Sequence, residues 1–201
     1  MLSITKIPTG FLDENCWILK NAKNEVVVID PGNAAGKILK KLAGAKVKWI
    51  LLTHTHYDHL QALSEVAEKT GGKIAVHKEE AGIVEAGEFN PPSFGRKLLP
   101  SKVAQQLRDG TEIELGDLKI KVLHTPGHTP GSCCFLLGRD LFSGDTLFHR
   151  NCGRTDLPGG DAEAMQMSLK KLQELPGRTI VHPGHGPDWN IREAQKFNFS
   201  V

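Results

Sequence analysis

The spacing of apolar residues changes several times along the chain, and each change marks an element. Residues 16–20 and 25–30 read as strands joined by the polar turn Asn21-Ala22-Lys23-Asn24. The second carries Val26-Val27-Val28-Ile29, an unbroken apolar run suited to a strand buried on both faces, and Pro31-Gly32-Asn33 stops it. A helix is expected over 34–43, with Gly44 as its C-terminal signal, followed by a buried strand over 47–52. From 59 to 70 the spacing becomes helical, with Leu60, Leu63, Val66 and Ala67 on one side and Gly71-Gly72 at the end. Residues 73–76 form a short strand. Strand and helix thus alternate, which predicts an α/β layered domain. Residues 87–100 contain Pro91-Pro92 and few regular features, as a binding loop or lid does.

The second half changes character. Residues 112–115, 118–124, 132–137 and 140–143 are short strands separated by glycine-containing turns, and they should pair as antiparallel hairpins. A helix is expected over 161–175, capped by Asp161 and stopped by Pro176-Gly177. A last strand over 179–182 and a last helix over 191–197 follow. Strands and then a helix occur in both halves, which permits two similar β-rich halves with helices outside.

Composition narrows the classes. The 201 residues, 39% apolar and 24% charged, suit one globular domain over 1–201. A net charge of +2 is too balanced for a nucleic-acid partner or an anionic membrane. The densest basic group, Lys37, Lys40, Lys41, Lys46 and Lys48, reads as a solvated helix face. Cys16, Cys133, Cys134 and Cys152 form no Cys-x-x-Cys pair, and Cys133 and Cys134 should point to opposite faces of a strand. A reduced, cytoplasmic protein is the expectation. Residues 1–6 do not read as a signal peptide, and no apolar run approaches the ~20 residues that span a membrane.

Candidate chemistry centres on His54-Thr55-His56-Tyr57-Asp58-His59, directly after the strand over 47–52. His54 and His56 stand two apart at a strand end, so their rings project to one side, and Asp58 and His59 follow where the chain turns. Three further groups lie on loops after strands: His128 in Thr125-Pro126-Gly127-His128-Thr129-Pro130-Gly131, Asp145 in Ser143-Gly144-Asp145-Thr146, and His185 in Pro183-Gly184-His185-Gly186-Pro187. Imidazole nitrogens and carboxylate oxygens suit Zn²⁺, Fe²⁺ or Mn²⁺. No Gly-x-Ser-x-Gly nucleophile elbow is present. His77, His124 and His182 read as structural or surface residues, and Tyr57 and His149 as local packing beside the motifs.

The set His54-x-His56-x-Asp58-His59, His128, Asp145 and His185 resembles the metallo-β-lactamase superfamily, from residue 27 to His185. The resemblance implies a four-layer αββα sandwich with metals at one edge of the two sheets. His54, His56 and His128 would hold the first metal, Asp58, His59 and His185 the second, with Asp145 bridging. True metallo-β-lactamases generally lack that aspartate, so the chain looks more like glyoxalase II, the hydroxyacylglutathione hydrolases. The segment Asn151-Cys152-Gly153-Arg154-Thr155-Asp156 is similar to a Cys-Gly-basic segment of glyoxalase II and of persulfide dioxygenases. Pro158-Gly159-Gly160-Asp161 and the Pro-Gly-His185-Gly-Pro turn look most like short bacterial glyoxalase II-like proteins.

The resemblance further implies a binuclear hydrolase of small-molecule thioesters such as S-hydroxyacylglutathione, with a hydroxide shared by two divalent ions. Zinc is the first expectation, iron or manganese the alternatives. Asp58 would position the hydroxide or take its proton. Arg154 would grip a substrate carboxylate, or else anchor its loop by a salt bridge. Long glyoxalase II enzymes have a C-terminal helical domain that helps bind glutathione, and such contacts are not expected here. The rival is a persulfide dioxygenase with one Fe²⁺ on His54, His128 and Asp145, a two-histidine, one-carboxylate set suited to oxygen chemistry.

Overall fold

The computed structural model describes residues 2–88, 98–197 and 199. Two six-stranded sheets make up its centre. The first runs in the order β1 (Ser3–Thr9), β2 (Glu14–Lys20), β3 (Glu25–Ile29), β4 (Lys46–Leu51), β5 (Lys73–His77) and β6 (Val103–Leu107). β1, β2 and β3 pair antiparallel, and β3 to β6 pair parallel. The parallel connections carry α1 (Ala35–Leu42), α2 (Leu63–Thr70) and α3 (Ala81–Ala86). The second sheet runs β7 (Glu112–Leu115), β8 (Leu118–His124), β9 (Cys133–Leu137), β10 (Asp140–Gly144), β11 (Ile180–Pro183) and β12 (Trp189–Asn190). β7 to β10 are the expected antiparallel hairpins; β11 joins β10 in parallel after α4 (Ala162–Gln173).

Side-chain alternation sorts the apolar residues into three packed layers. Val27, Ile29 and Leu51 of the first sheet meet Ile113, Ile120, Phe135 and Phe142 of the second between the sheets. Val26, Val28 and Ile50 point the other way, under Ile38 of α1, Leu63 and Val66 of α2 and Val84 of α3. Leu141 and Val181 lie under Met165 and Leu169 of α4 and Ile191 of α5 (Ile191–Ala194). The architecture is the αββα sandwich. Cys133 faces the inter-sheet layer and Cys134 the α4 layer, opposite faces as expected, and all four cysteines are free.

Several boundaries differ from the sequence expectation. β1 and β6 were not anticipated. Both are edge strands, where Pro8 is tolerated because its missing N–H faces no neighbour and where Ala104 and Gln106 stand exposed between the half-buried Val103 and Gln105. The helix expected over 59–70 begins only at Leu63. Before it the chain makes one 3-10 turn, Tyr57–His59, and Ala62 N–H donates to the carbonyls of Pro31 and Gly32. Asp161 caps α4 as expected, accepting from Ala164 N at 3.0 Å. Of the loop expected over 87–100, residues 89–97 lie outside the described residues, and the lid expectation with them. Among the described residues no helix is long and apolar enough to cross a membrane.

Candidate metal centre

The loops that follow β4, β8, β10 and β11 meet at one edge of the sandwich, and they carry all seven ligand-type residues singled out from the sequence. His54, His56 and His128 form one group, and Asp58, His59 and His185 another; the candidate ligand atoms within each lie within 4.8 Å of one another. Asp145 stands between them. Its Oδ1 is 3.2 Å from His59 Nε2, and its Oδ2 is 3.5 Å from His128 Nε2 and 3.7 Å from His185 Nε2.

Tight backbone packing brings these loops together. A Cβ on Gly184 would fall 2.3 Å from Asp145 Oδ1, and one on Gly153 would fall 2.1 Å from the Asp145 carbonyl and 2.8 Å from His128 Nδ1. Gly127 has φ +136°, and a Cβ there would meet the Met165 backbone at 2.5 Å. The His185 turn is held from the first sheet: Asn15 N–H donates to the Gly184 carbonyl at 2.7 Å, and its side-chain amide to the Pro183 and Gly186 carbonyls.

Outer partners set the ring orientations. His59 Nδ1 donates to Asp30 Oδ2 at 3.0 Å, His128 Nδ1 to the Arg154 carbonyl at 2.7 Å, and His185 Nδ1 to the Leu12 carbonyl at 3.0 Å. Thr53 Oγ1 donates to Asp30 Oδ2, which leaves it to accept from His54 Nδ1 at 3.0 Å. With Nδ1 protonated, each of these four rings presents the Nε2 lone pair to the centre. His56 turns its Nδ1 to within 2.7 Å of His128 Nε2. His54 Nε2, His59 Nε2 and Asp145 Oδ1 are buried with no hydrogen-bond partner, and so is His56 Nε2. Buried polar atoms are ordinarily satisfied, so this convergence of unpartnered lone pairs fits cations, which would satisfy them at once.

The electrostatics agree. Burial, then the charges of neighbouring histidines, holds His54 well below its usual pKa, and burial with His128 pushes His56 down to about 3. Both are therefore neutral at pH 7, the state in which imidazole binds metal. Burial alone would lower His59, but Asp145, Asp58 and Asp30 outweigh it and raise it well above the usual value, so without a cation the ring carries a second proton on Nε2, which a bound ion would displace to use that lone pair. Burial likewise acts to raise Asp145 and Asp58, and the surrounding histidines reverse it, keeping both carboxyls ionised.

A cavity of about 340 Å³ opens over the centre. His56, Asp58, His128, Asp145 and His185 form its floor, and Phe11, Leu12, Tyr57, Leu157 and Arg154 its walls. The Arg154 guanidinium makes two hydrogen bonds to Asp156, at 2.6 and 2.7 Å, so the loop-anchoring alternative describes its state here. His149 packs edge-on against Trp189, away from the cavity floor. His77 and His124 stack on each other at 4.0 Å, and His182 is held between Asp140 and Asp188; all three are structural. Three buried acids were missed in the sequence: Glu14, Asp30 and Glu80. Asp30 ends an apolar strand, an unusual place for a charge and a usable signal. Glu80 follows Glu79 in an ordinary polar turn and gives none.

A family model described as Metallo-beta-lactamase superfamily matches residues 9–185. The chain is 35% identical over 187 residues to a hydroxyacylglutathione hydrolase of Photobacterium profundum, covering 92% of this chain and 66% of that one. Among solved structures, BLEG-1, described as a B3 metallo-beta-lactamase, matches with a TM-score of 0.89 at 33% identity, covering 98% of both chains. TTHA1623 in a di-iron-bound form matches with a TM-score of 0.83 at 34% identity, covering 96% of this chain and 98% of that one.

Proposed function

Because the chain belongs to the metallo-β-lactamase superfamily, whose members bind divalent metals and often two, we propose that it is a binuclear metal-dependent hydrolase of thioesters such as S-hydroxyacylglutathione. The observation that carries this is the set of buried, unpartnered lone pairs of His54, His59 and Asp145, flanked by His56, His128, Asp58 and His185. His54, His56 and His128 would hold one ion, Asp58, His59 and His185 the other, and Asp145 would face both. Bound zinc, or iron or manganese in its place, would bring the pKa of water down to about 7 and polarise a carbonyl.

The chain's own groups then do the rest. Asp58 is held ionised and reaches the cavity, with His185 Nε2 3.1 Å from its Oδ2. It is placed to orient an attacking water and take its proton. No cysteine nucleophile competes: burial raises the thiols of Cys16, Cys133 and Cys134, and of half-buried Cys152. Phe11, Leu12 and Leu157 give the cavity apolar walls suited to an acyl group. A thioester suits such a site because its thiolate leaves near neutrality, a free thiol having a pKa of about 8.5. The nitrogen of a β-lactam is a far more basic leaving group and needs a proton or a cation as it departs.

The similarity to hydroxyacylglutathione hydrolase supports the thioester, whereas the similarity to BLEG-1 favours a β-lactam. A direct comparison decides. The metal-loaded protein is expected to hydrolyse S-lactoylglutathione or a simple acyl thioester with a kcat/KM at least about 100-fold above that for a chromogenic cephalosporin, some 2.7 kcal/mol of transition-state preference. The reverse order would overturn the thioester assignment. Oxygen uptake with glutathione persulfide would replace it with the dioxygenase.

A further inference from the structure

The first metal group draws its ligands from both halves of the molecule. His54 and His56 extend from β4 of the first sheet, and His128 from the loop after β8 of the second. Each half could be well folded and still leave these rings misplaced relative to one another, so something must fix the gap.

Glu80 spans that gap. It lies between β5 and α3, and it is 1% exposed. Its Oε2 accepts from Thr55 Oγ1 at 2.8 Å, and Thr55 is the residue between the two histidines of the first sheet. Its Oε1 accepts from Thr129 Oγ1 and from Gly131 N–H at 3.1 Å; Thr129 directly follows His128. Because strand-end side chains alternate, Thr55 points away from the metal group just as His54 and His56 point into it. A Cβ on Gly131 would sit 2.6 Å from Glu80 Cγ, so the second loop lies directly on the acid. Thr129 is further locked by Ser132 Oγ at 2.8 Å. These donors to one buried carboxylate are charge-assisted hydrogen bonds, the stronger and more directional kind.

Resting on the binuclear reading above, we infer that Glu80 is a positioning residue, a fork that holds the two ligand loops in register and sets the affinity of the group His54, His56 and His128. It touches no ligand ring, substrate or reacting atom. Its action passes through Thr55 and Thr129.

The test is metal titration of the full chain, stripped and then loaded with Co²⁺ or Zn²⁺ against a chromophoric chelator. Glu80→Gln keeps the shape and loses the charge. Thr129→Val and Thr55→Val each cut one tine and spare the acid, so they serve if the glutamine variant fails to fold. One ion should bind roughly 10–100-fold more weakly in Glu80→Gln, the effect typical of partners behind a ligand, with the other changed less than about twofold. The two valine effects should be less than additive, because after one tine is cut the fork no longer couples the loops. Unchanged affinity for both ions in variants with lowered thermal stability would overturn the inference, as would full additivity. If the unaltered protein bound no second ion, the binuclear reading would fail instead, a distinct result.

Discussion

Replacing Asp30 with asparagine changes one atom behind His59 and little else. Asp30 adopts φ 49°, a left-handed conformation that aspartate and asparagine both tolerate, so the backbone should not move. Its Oδ1 accepts from Thr53 N–H at 2.8 Å, and its Oδ2 from Thr53 Oγ1 at 2.6 Å and His59 Nδ1 at 3.0 Å. An asparagine that keeps its oxygen on Thr53 N–H turns its NH₂ toward His59. Two donors then face each other unless the His59 proton moves to Nε2, the atom that points at Asp145. The opposite orientation leaves a buried Thr53 N–H facing a donor, at about 1–3 kcal/mol. The first arrangement removes the His59 lone pair from the centre. The ion held by Asp58, His59 and His185 should therefore bind about 10–100-fold more weakly, about 1.4–2.7 kcal/mol, while the other changes little. Competition with a chromophoric chelator, on stripped Asp30→Asn and parent protein, reads both affinities. Equal affinities in the two proteins would refute the claim that Asp30 sets the His59 tautomer.

Other predictions concern the rest of the site. Asp145→Ala should reduce metal content from about two equivalents to one or fewer and lower the thioesterase rate in parallel, since this carboxylate faces both groups; full activity would contradict the binuclear assignment. The metal-free protein should lose stability as pH falls. Burial depresses His56 to about 3 and His77 to about 4, so below the unfolded value of about 6.5 the unfolded chain binds more protons. That stability is intact above about pH 6.5, and urea midpoints measured down to pH 4 should fall, less steeply in His77→Phe. Phe11, 82% exposed at the cavity rim, should on change to alanine raise KM severalfold, with folding stability altered by less than about 0.5 kcal/mol. An unchanged KM would remove Phe11 from the substrate wall.

The seven inward-facing residues were legible in the sequence because their chemistry is local. Paired histidines after an apolar strand, and histidine or aspartate beside glycine, announce themselves within six or seven residues. The buried strand β3 was legible for the same reason, being a continuous apolar run, and β4 ends in one, Trp49-Ile50-Leu51, after Lys46 and Lys48. What the sequence hid depends on distant partners. Asp30 is explained by Thr53 and His59, and Glu80 by Thr129 and Gly131 about fifty residues away. β1 and β6 are edge strands with one paired side and mixed polarity, so alternation alone does not distinguish them from loop. Leu60 and Leu63 share one buried layer although only Leu63 is helical, so the spacing reported burial correctly and the start of the helix incorrectly. For Arg154 the sequence left two roles open, and a partner two residues away, Asp156, occupies the guanidinium.

The central claim is that His54, His56 and His128 hold one ion and Asp58, His59 and His185 a second. Elemental analysis of protein purified without added metal tests it most directly. About two equivalents of zinc, iron or manganese per chain is the expected result, falling to about one in His54→Ala and, separately, in His185→Ala. One equivalent of iron alone in the unaltered protein, or no bound metal after reloading, would contradict it.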